Sequence, residues 1–312
     1  MDDKKYKLVS LFSGAGGLDM GFENQGFKTI WANDIDKDAC ETHKRWSSSV
    51  VVQGDIGKVN FNEIPNADVI AGGFPCQGFS LAGPRKLDDS RNILYRYFVK
   101  LVELKQPKVF VAENVKGILT LGNGEIIKAI INDFSDKGYD VVPTLVNAAD
   151  YGVPQDRYRV IIVGIRKDLN VKYQFPEKKS EKVSLKDVLS KLPPPKNDEI
   201  CNAPYSSRYM SRNRKRDWKE VSFTIPAMAK QVALHPSSPN MIKINADNWI
   251  FGKGETRRLS YKEVAVIQTF PENMFFCGDL VSKYKQIGNA VPVKLAEVVA
   301  KSIYNILEVV GG

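Results

Sequence analysis

Seven short runs of β character recur through the first 165 residues, and four of them close on an acid or a thiol. Lys7-Leu-Val-Ser-Leu-Phe12 is the first, and Phe27-Lys-Thr-Ile-Trp-Ala-Asn-Asp34 the second. Val50-Val-Val-Gln-Gly-Asp55, Ala67-Asp-Val-Ile-Ala-Gly-Gly73 and Lys108-Val-Phe-Val-Ala-Glu-Asn-Val115 follow, then Tyr139 to Val146 and Arg159 to Ile165. Helical patterns separate them, at Leu18 to Phe22, Ile93 to Leu104 and Glu125 to Phe134. Strands alternating with helices predict an α/β fold, a doubly wound and mostly parallel sheet covered on both faces. Asp34, Asp55, Cys76 and Glu113 then fall on one edge, where open parallel sheets place their ligands.

The fourth run ends at Pro75 and is followed at once by Cys76 and the polar loop Gln77-Gly-Phe-Ser80. Most free cysteines are small buried hydrophobes. Cys76 is instead expected at the mouth of a strand. The other cysteines, Cys40, Cys201 and Cys277, are far apart and fit free thiols in a reducing compartment. The first run opens into Ser13-Gly-Ala-Gly-Gly17. That turn lets a ligand approach the backbone at a helix start, but its spacing is not the Gly-x-Gly-x-x-Gly of dinucleotide enzymes. Asp34, ending the second strand, stands where a ribose diol is held, so a nucleoside-containing cofactor is expected. Cys40-Glu-Thr-His43 has a metal-ligand spacing but no second pair nearby, and no metal is expected.

Gln155, Arg157 and Arg159 alternate, so an extended segment would aim their donors to one face. Beyond residue 166 the strand–helix alternation stops. Residues 167–200 are rich in Lys, Pro and acids, with one helix expected from Ser184 to Leu192 behind a Ser184/Asp187 capping box. Residues 201–260 carry 11 Lys and Arg against 4 Asp and Glu, much of the formal net charge of +9. Such a local basic excess predicts a polyanion partner. Arg208 to Trp218 interleaves basic and aromatic residues, and Arg and Asn there suit phosphates and base edges. Further on, a helix is expected from Arg257 to Gln268, a turn at Gln286 to Pro292, and a long amphipathic helix from Val293 to Val309. No apolar run reaches the length of a membrane span, and the charged N-terminus lacks a signal peptide's apolar core, so a cytoplasmic protein is expected.

Six blocks stand in order along the chain: Phe12-Ser-Gly-Ala-Gly-Gly17, Pro75-Cys-Gln77, Glu113-Asn-Val115, Gln155-x-Arg157-x-Arg159, Arg257-x-Leu259 and Gly288-Asn-Ala-Val-Pro292. With these the chain resembles, over nearly its whole length, the DNA cytosine-5 methyltransferases of bacterial restriction–modification systems. The resemblance implies a Rossmann-like methyl-transfer domain, here 1–166 with 284–312, and a smaller, irregular target-recognition domain, here 167–283. It implies S-adenosyl-L-methionine as donor, S-adenosyl-L-homocysteine as product, double-stranded DNA as partner, and a functionally paired restriction endonuclease. A monomer is expected, since one flipped base needs one subunit. Cys76 becomes the nucleophile, Glu113 the holder of ring nitrogen 3, and Arg159 the holder of the cytosine carbonyl with Arg157 in support. Donor contacts fall to Phe12, Gly14, Gly16, Gly17, Leu18, Asp34, Ile35, Asp55, Ile56, Phe74, Leu94 and Asn289. Asn114 shapes the loop and the cofactor pocket. DNA contacts fall to Gln77, Ser80, Arg91, Arg208, Arg212, Asn213, Arg214, Lys230, Gln231 and Arg257, and Gly78 to Asn92 is the expected lid. Arg212-Asn-Arg, Phe223-Thr-Ile and Leu234-His-Pro resemble recognition regions of enzymes that methylate short palindromes such as GGCC.

Overall fold

A computed structural model describes residues 5–75 and 93–311. Cys76, Gln77, Ser80, Arg91 and the expected lid Gly78–Asn92 lie outside the described residues. By internal contacts the chain forms two compact units. One comprises residues 1–146, 158–177 and 296–312, the other 147–157 and 178–295.

The first unit is built on a seven-stranded sheet. Its strands are β1 (Tyr6–Leu11), β2 (Phe27–Asp34), β3 (Val50–Gln53), β4 (Val69–Gly72), β5 (Val109–Val115), β6 (Tyr139–Asn147) and β7 (Tyr158–Arg166), in the order β3-β2-β1-β4-β5-β7-β6. β1 to β5 pair in parallel, and β7 runs antiparallel to β5. The order reverses beside β1, the switch point at which doubly wound sheets open a crevice. β4 and the front of β5 are continuously buried, as strands covered on both faces must be. Phe98, Phe110, Phe134 and Tyr139 centre a core to which β4, β5, α3 (Ile93–Lys105) and α4 (Glu125–Asp136) contribute.

Helices α1 (Gly17–Glu23) and α2 (Lys37–Trp46) follow β1 and β2. The last helix, Val293–Gly311, buries Ala296, Val299, Ala300, Ile303 and Leu307 along one stripe, the amphipathic pattern legible in its sequence. Within the first unit its Tyr304 packs edge-on against Tyr6 and Phe27, and Glu308 takes a hydrogen bond from the Tyr6 hydroxyl.

The second unit holds short elements on long loops. Ser184 caps a five-residue helix, Leu185–Leu189, through the expected capping box. The helix expected from Arg257 begins only at Tyr261 and ends at Ile267, because Ser260 supplies the N-cap. Ile242–Asn245 and Asn248–Ile250 form a small antiparallel hairpin. A further helix of this unit departs from the sequence expectation. Leu280–Asn289 is a helix capped by Asp279, so Gln286 to Asn289, expected as a turn, is its last turn. Gly288 prompted the turn reading. Its lack of a Cβ instead answers a close approach, since any side chain there would run into the Pro226 carbonyl.

Candidate active site

The carboxyl edge of β1 to β5 gathers the expected cofactor residues of the first unit. The chain leaves β1 through Phe12, whose φ of 55° lies in the left-handed region. Such a backbone in a bulky residue is strained and persists where the surrounding structure over-determines it. Gly14 and Gly16 follow with φ of 55° and 84°. A side chain on Gly16 would collide with the Trp46 ring, which itself stacks on His43 at 4.9 Å. Trp46 Nε1 also donates to the Ala15 carbonyl at 3.0 Å. Helix α2 therefore backs the glycine turn, a role the sequence did not signal because Cys40 and His43 drew attention as ligands. His43 is fully buried, and burial pushes its pKa down to about 4, so it is neutral. Cys40 donates to the Asp34 carbonyl, and burial first, then the Asp34 charge, pushes its thiol up to about 11. Neither group is a reactive pair with the other.

Asp34 closes the turn from the other side. One carboxylate oxygen accepts from the Gly14 N–H and the other from the Asp36 N–H, both at 2.8 Å. Burial raises its pKa, and these two N–H groups oppose the rise. Each carboxylate oxygen can accept twice, so capacity remains for a pair of hydroxyls. Ile35 beside it is 70% exposed, an apolar surface at the rim. Asn33 pins β2 to β3 by donating to the carbonyls of Val52 and Gly54. Asp55 is exposed and caps the next turn through the Gly57 N–H.

Three expected donor contacts have a different surrounding. Ile56 and Phe74 are 2% exposed and belong to the apolar core, Phe74 packing on Tyr95 and Phe98. Asn289 is exposed at the end of its helix in the second unit. Leu18 is buried, and Leu94 half-buried against the core.

At the end of β5, Glu113 Oε1 lies 2.7 Å from Arg159 Nε on β7, with both side chains mostly buried. The two strands run antiparallel, and Val115 pairs with Arg159. The side chains therefore meet on a diagonal of the ladder. The contact is an ion pair by distance without an aligned hydrogen bond, and Oε1 keeps acceptor capacity. Gly73, two residues before Pro75, borders the same carboxylate, and a Cβ there would come within 3.3 Å of it. Asn114 ties the two strand ends together. Its amide donates to the Phe74 carbonyl at 3.0 Å, and its oxygen accepts from the Val115 N–H.

Gln155, Arg157 and Arg159 do not lie on one strand, contrary to the extended reading. β7 starts only at Tyr158. Gln155 and Arg157 belong to the second unit and are buried in it. Arg157 donates to the carbonyls of Ile225, Gly288 and Ala290. Gln155 bonds Gln268 at 2.8 Å and accepts from the Ile225 N–H, while Gln268 reaches the Ile287 and Ala290 carbonyls. Arg157 thus directs its donors to main-chain carbonyls within the second unit, where a role in support of a substrate carbonyl was expected. Gln268 completes this network, and no sequence motif singled it out.

The expected DNA contacts also divide. Arg208, Arg212, Asn213 and Lys230 are exposed. Arg214 is buried, donating to the Tyr209 and Arg208 carbonyls and to Gln231 over the Tyr209 ring. Arg257 holds Glu263 with two hydrogen bonds of 2.8 and 2.7 Å. Arg214, Gln231 and Arg257 therefore spend their polar groups inside the unit, and the alternation of charges alone could not reveal which would turn inward.

The family described as C-5 cytosine-specific DNA methylase matches residues 6–305. Type II methyltransferase M.BsuRI of Bacillus subtilis is 44% identical, over 96% of this chain and 80% of its own length. M.FnuDI of Fusobacterium nucleatum is also 44% identical, over 95% of this chain and 94% of its own. In three dimensions the Entamoeba histolytica methyltransferase EhMeth superposes with a TM-score of 0.74 at 16% identity, over 96% of this chain and 98% of its own. A DNMT2 variant of Spodoptera frugiperda gives 0.74 at 18%, over 96% and 100%. These last two likenesses concern the fold.

Proposed function

Since this chain belongs to the C-5 cytosine-specific DNA methylase family and is a DNA (cytosine-5)-methyltransferase of the type II restriction–modification kind, we propose that it methylates a flipped-out cytosine through a covalent bond to Cys76. Carbon 5 of cytosine is a weak nucleophile. Addition of the Cys76 thiolate at carbon 6 makes the ring an enamine, and carbon 5 becomes the attacking atom. The family's donor, S-adenosyl-L-methionine, supplies an electrophilic methyl group there and departs as S-adenosyl-L-homocysteine. The carbon 5 proton then leaves to water, and the thiolate is expelled as the double bond re-forms.

The observation that supports this reading is the Glu113–Arg159 pair beside Gly73, close in the chain to Cys76. Glu113 holds ring nitrogen 3 and keeps a proton there as charge builds. Arg159 takes the carbonyl oxygen and fixes the ring. Asn114 holds the Phe74 carbonyl and so sets where the chain leaves β4 toward the nucleophile. A duplex covers both faces of the base, so the cytosine must leave the stack, at a cost of about a few kcal/mol.

The first unit suits the donor. The strained Phe12, the glycine turn that tolerates no side chain at Gly16, and Asp34 with acceptor capacity to spare make a cradle for a nucleoside with a charged tail. Gly14, Gly16, Gly17 and Leu18 border the methionine portion, Asp34 takes the ribose hydroxyls, and Ile35 and Asp55 flank adenine. Residues 167–283 read a short palindrome in double-stranded DNA, with Arg208, Arg212, Asn213 and Lys230 on the duplex. Among the described residues no helix is long and apolar enough to cross a membrane.

Wild-type protein incubated with a duplex containing 5-fluorocytosine and the donor should give a complex that survives denaturation. Cys76→Ser should give none and should transfer no labelled methyl group. Retained turnover in Cys76→Ala or Cys76→Ser would sink the covalent mechanism. Equal methylation of duplex DNA and tRNA by the wild type would overturn the DNA assignment.

A further inference from the structure

Arg258 is the middle residue of the Arg257-x-Leu259 block. It lies in the second unit and is 2% exposed. Its Nη1 donates to the carbonyls of Cys201 and Ala203 at 2.9 and 2.7 Å. Its guanidinium lies under Tyr205 at 3.9 Å and near Tyr209 at 5.0 Å. Its Nε and Nη2 have no hydrogen-bond partner among the described residues. Those two nitrogens are the side-on fork of the guanidinium, whose parallel N–H groups match two oxygens on one centre.

Burying that fork without acceptors costs folding free energy, so a partner is called for. The neighbouring arginine does not compete for it or share it, because Arg257 is already paired with Glu263. Arg258 lines a cavity of about 530 Å³ with Asn197, Asn202, Tyr205 and Glu255 among the other walls. Of the two rings over the guanidinium, only Tyr205 lines that cavity, and it is half-buried. Tyr205 therefore forms the part of the cavity wall that lies against the guanidinium.

We propose that the cavity beside Arg258 is a phosphate-binding site, in which two phosphate oxygens take the Nε and Nη2 hydrogens. The basic excess of residues 201–260 favours an anion in this unit. Phosphate reaches a DNA enzyme from two sources, the backbone of bound duplex or the free ion. The site goes beyond methyl transfer. Only its duplex source rests on the DNA reading, and labelled methyl transfer by the unaltered enzyme reports on that reading separately.

The test uses the full chain and two variants. Arg258→Lys keeps the charge and loses the fork. Asn202→Glu places a competing carboxylate at an exposed wall without touching the core. The first arm measures duplex affinity by fluorescence anisotropy between 50 and 200 mM salt. The second measures the melting temperature with inorganic phosphate against chloride of equal ionic strength. A backbone phosphate predicts that the slope of log K against log salt falls by about 0.9 in Asn202→Glu, whose carboxylate cancels the Arg258 charge, whereas Arg258→Lys weakens duplex binding at every salt concentration with its slope kept. Free phosphate predicts a rise in wild-type melting temperature that both variants lose. Should Arg258→Lys fail to fold, Asn202→Glu carries both arms. An unchanged slope in Asn202→Glu together with no phosphate-dependent stabilisation overturns the proposal.

Discussion

Asn114 shows how much one amide can govern. It spans the ends of β4 and β5 through the Phe74 carbonyl, and nothing it holds is substrate. Asn114→Ala is expected to lower kcat by about a hundredfold, the scale of a misplacement near 1 Å, with KM for DNA little changed. Steady-state kinetics on a duplex substrate checks this, and a rise in KM at constant kcat would assign Asn114 to binding. Asp19 poses a different question. It is fully buried in α1, and burial pushes its carboxyl up to about 7, against the smaller opposing effects of the Ser10 hydroxyl and its own backbone. The folded state thus holds the proton more tightly than the unfolded chain. Stability from this group is complete at low pH and is lost as pH rises toward 7. Asp19→Asn removes the loss, so the variant should gain on wild type as pH rises from about 4 to about 7, by about a few kcal/mol. His43 and His235, both pushed down to about 4 by burial, act in the opposite sense but are common to the two proteins. Melting curves that stay parallel across this range would show that Asp19 is ionised at no cost. The sequence disclosed that Glu113 ends a strand and that Arg159 follows in a motif. It could not disclose that they face each other, because pairing of β5 with β7 is a long-range register that local patterns do not carry.

Elements were legible where burial imposes a period. β1 to β5 read as near-continuous apolar runs, and the last helix as a stripe. The helix Lys37–Trp46 escaped notice because its buried face is made of Ala39, Cys40, Thr42 and His43, which carry little apolar signal. The helix Leu280–Asn289 escaped because Gly288 reads as a breaker. Its true constraint is proximity to Pro226, a contact between segments distant in the chain. Gly288→Ala should therefore destabilise the second unit by about 2 kcal/mol or more, beyond what helix propensity would predict, since alanine ordinarily favours a helix over glycine. Arg157 reinforces the same junction by holding the Gly288 and Ala290 carbonyls. Removing its guanidinium takes a donor from three carbonyls, of which Ala290 keeps Gln268, so Arg157→Ala should lower the melting temperature as well as activity. A variant with unaltered stability and lost activity would return Arg157 to the substrate. Gln155, Arg157 and Gly288, drawn from two of the six ordered blocks, thus have packing partners of their own, and these blocks say as much about the scaffold as about chemistry.

At the scale of the whole molecule, division into two units determines what can be exchanged. Residues 201–250 hold the exposed Arg208, Arg212, Asn213 and Lys230, so replacing them with the segment of a relative of different specificity should change the cytosine that is methylated. The segment is not self-contained. Arg258 holds the Cys201 and Ala203 carbonyls from outside it, Leu234 bridges to Arg258, and Arg216 pairs with Asp156, which lies in the 147–157 stretch of the same unit. Exchange of 201–250 alone breaks complementarity at each of these points. A wider graft of 147–157 together with 178–295 keeps them internal to the transferred part. The narrow graft is expected to shift specificity at reduced thermal stability, and the wide graft to shift it with stability near that of the parents. Bisulfite sequencing of DNA from cells expressing each graft reads the site, and melting of the purified proteins reads the cost. Unchanged specificity in both grafts would place base readout outside the second unit, and equal stability of the two would show that the contacts across the narrow boundary carry little of the fold's free energy.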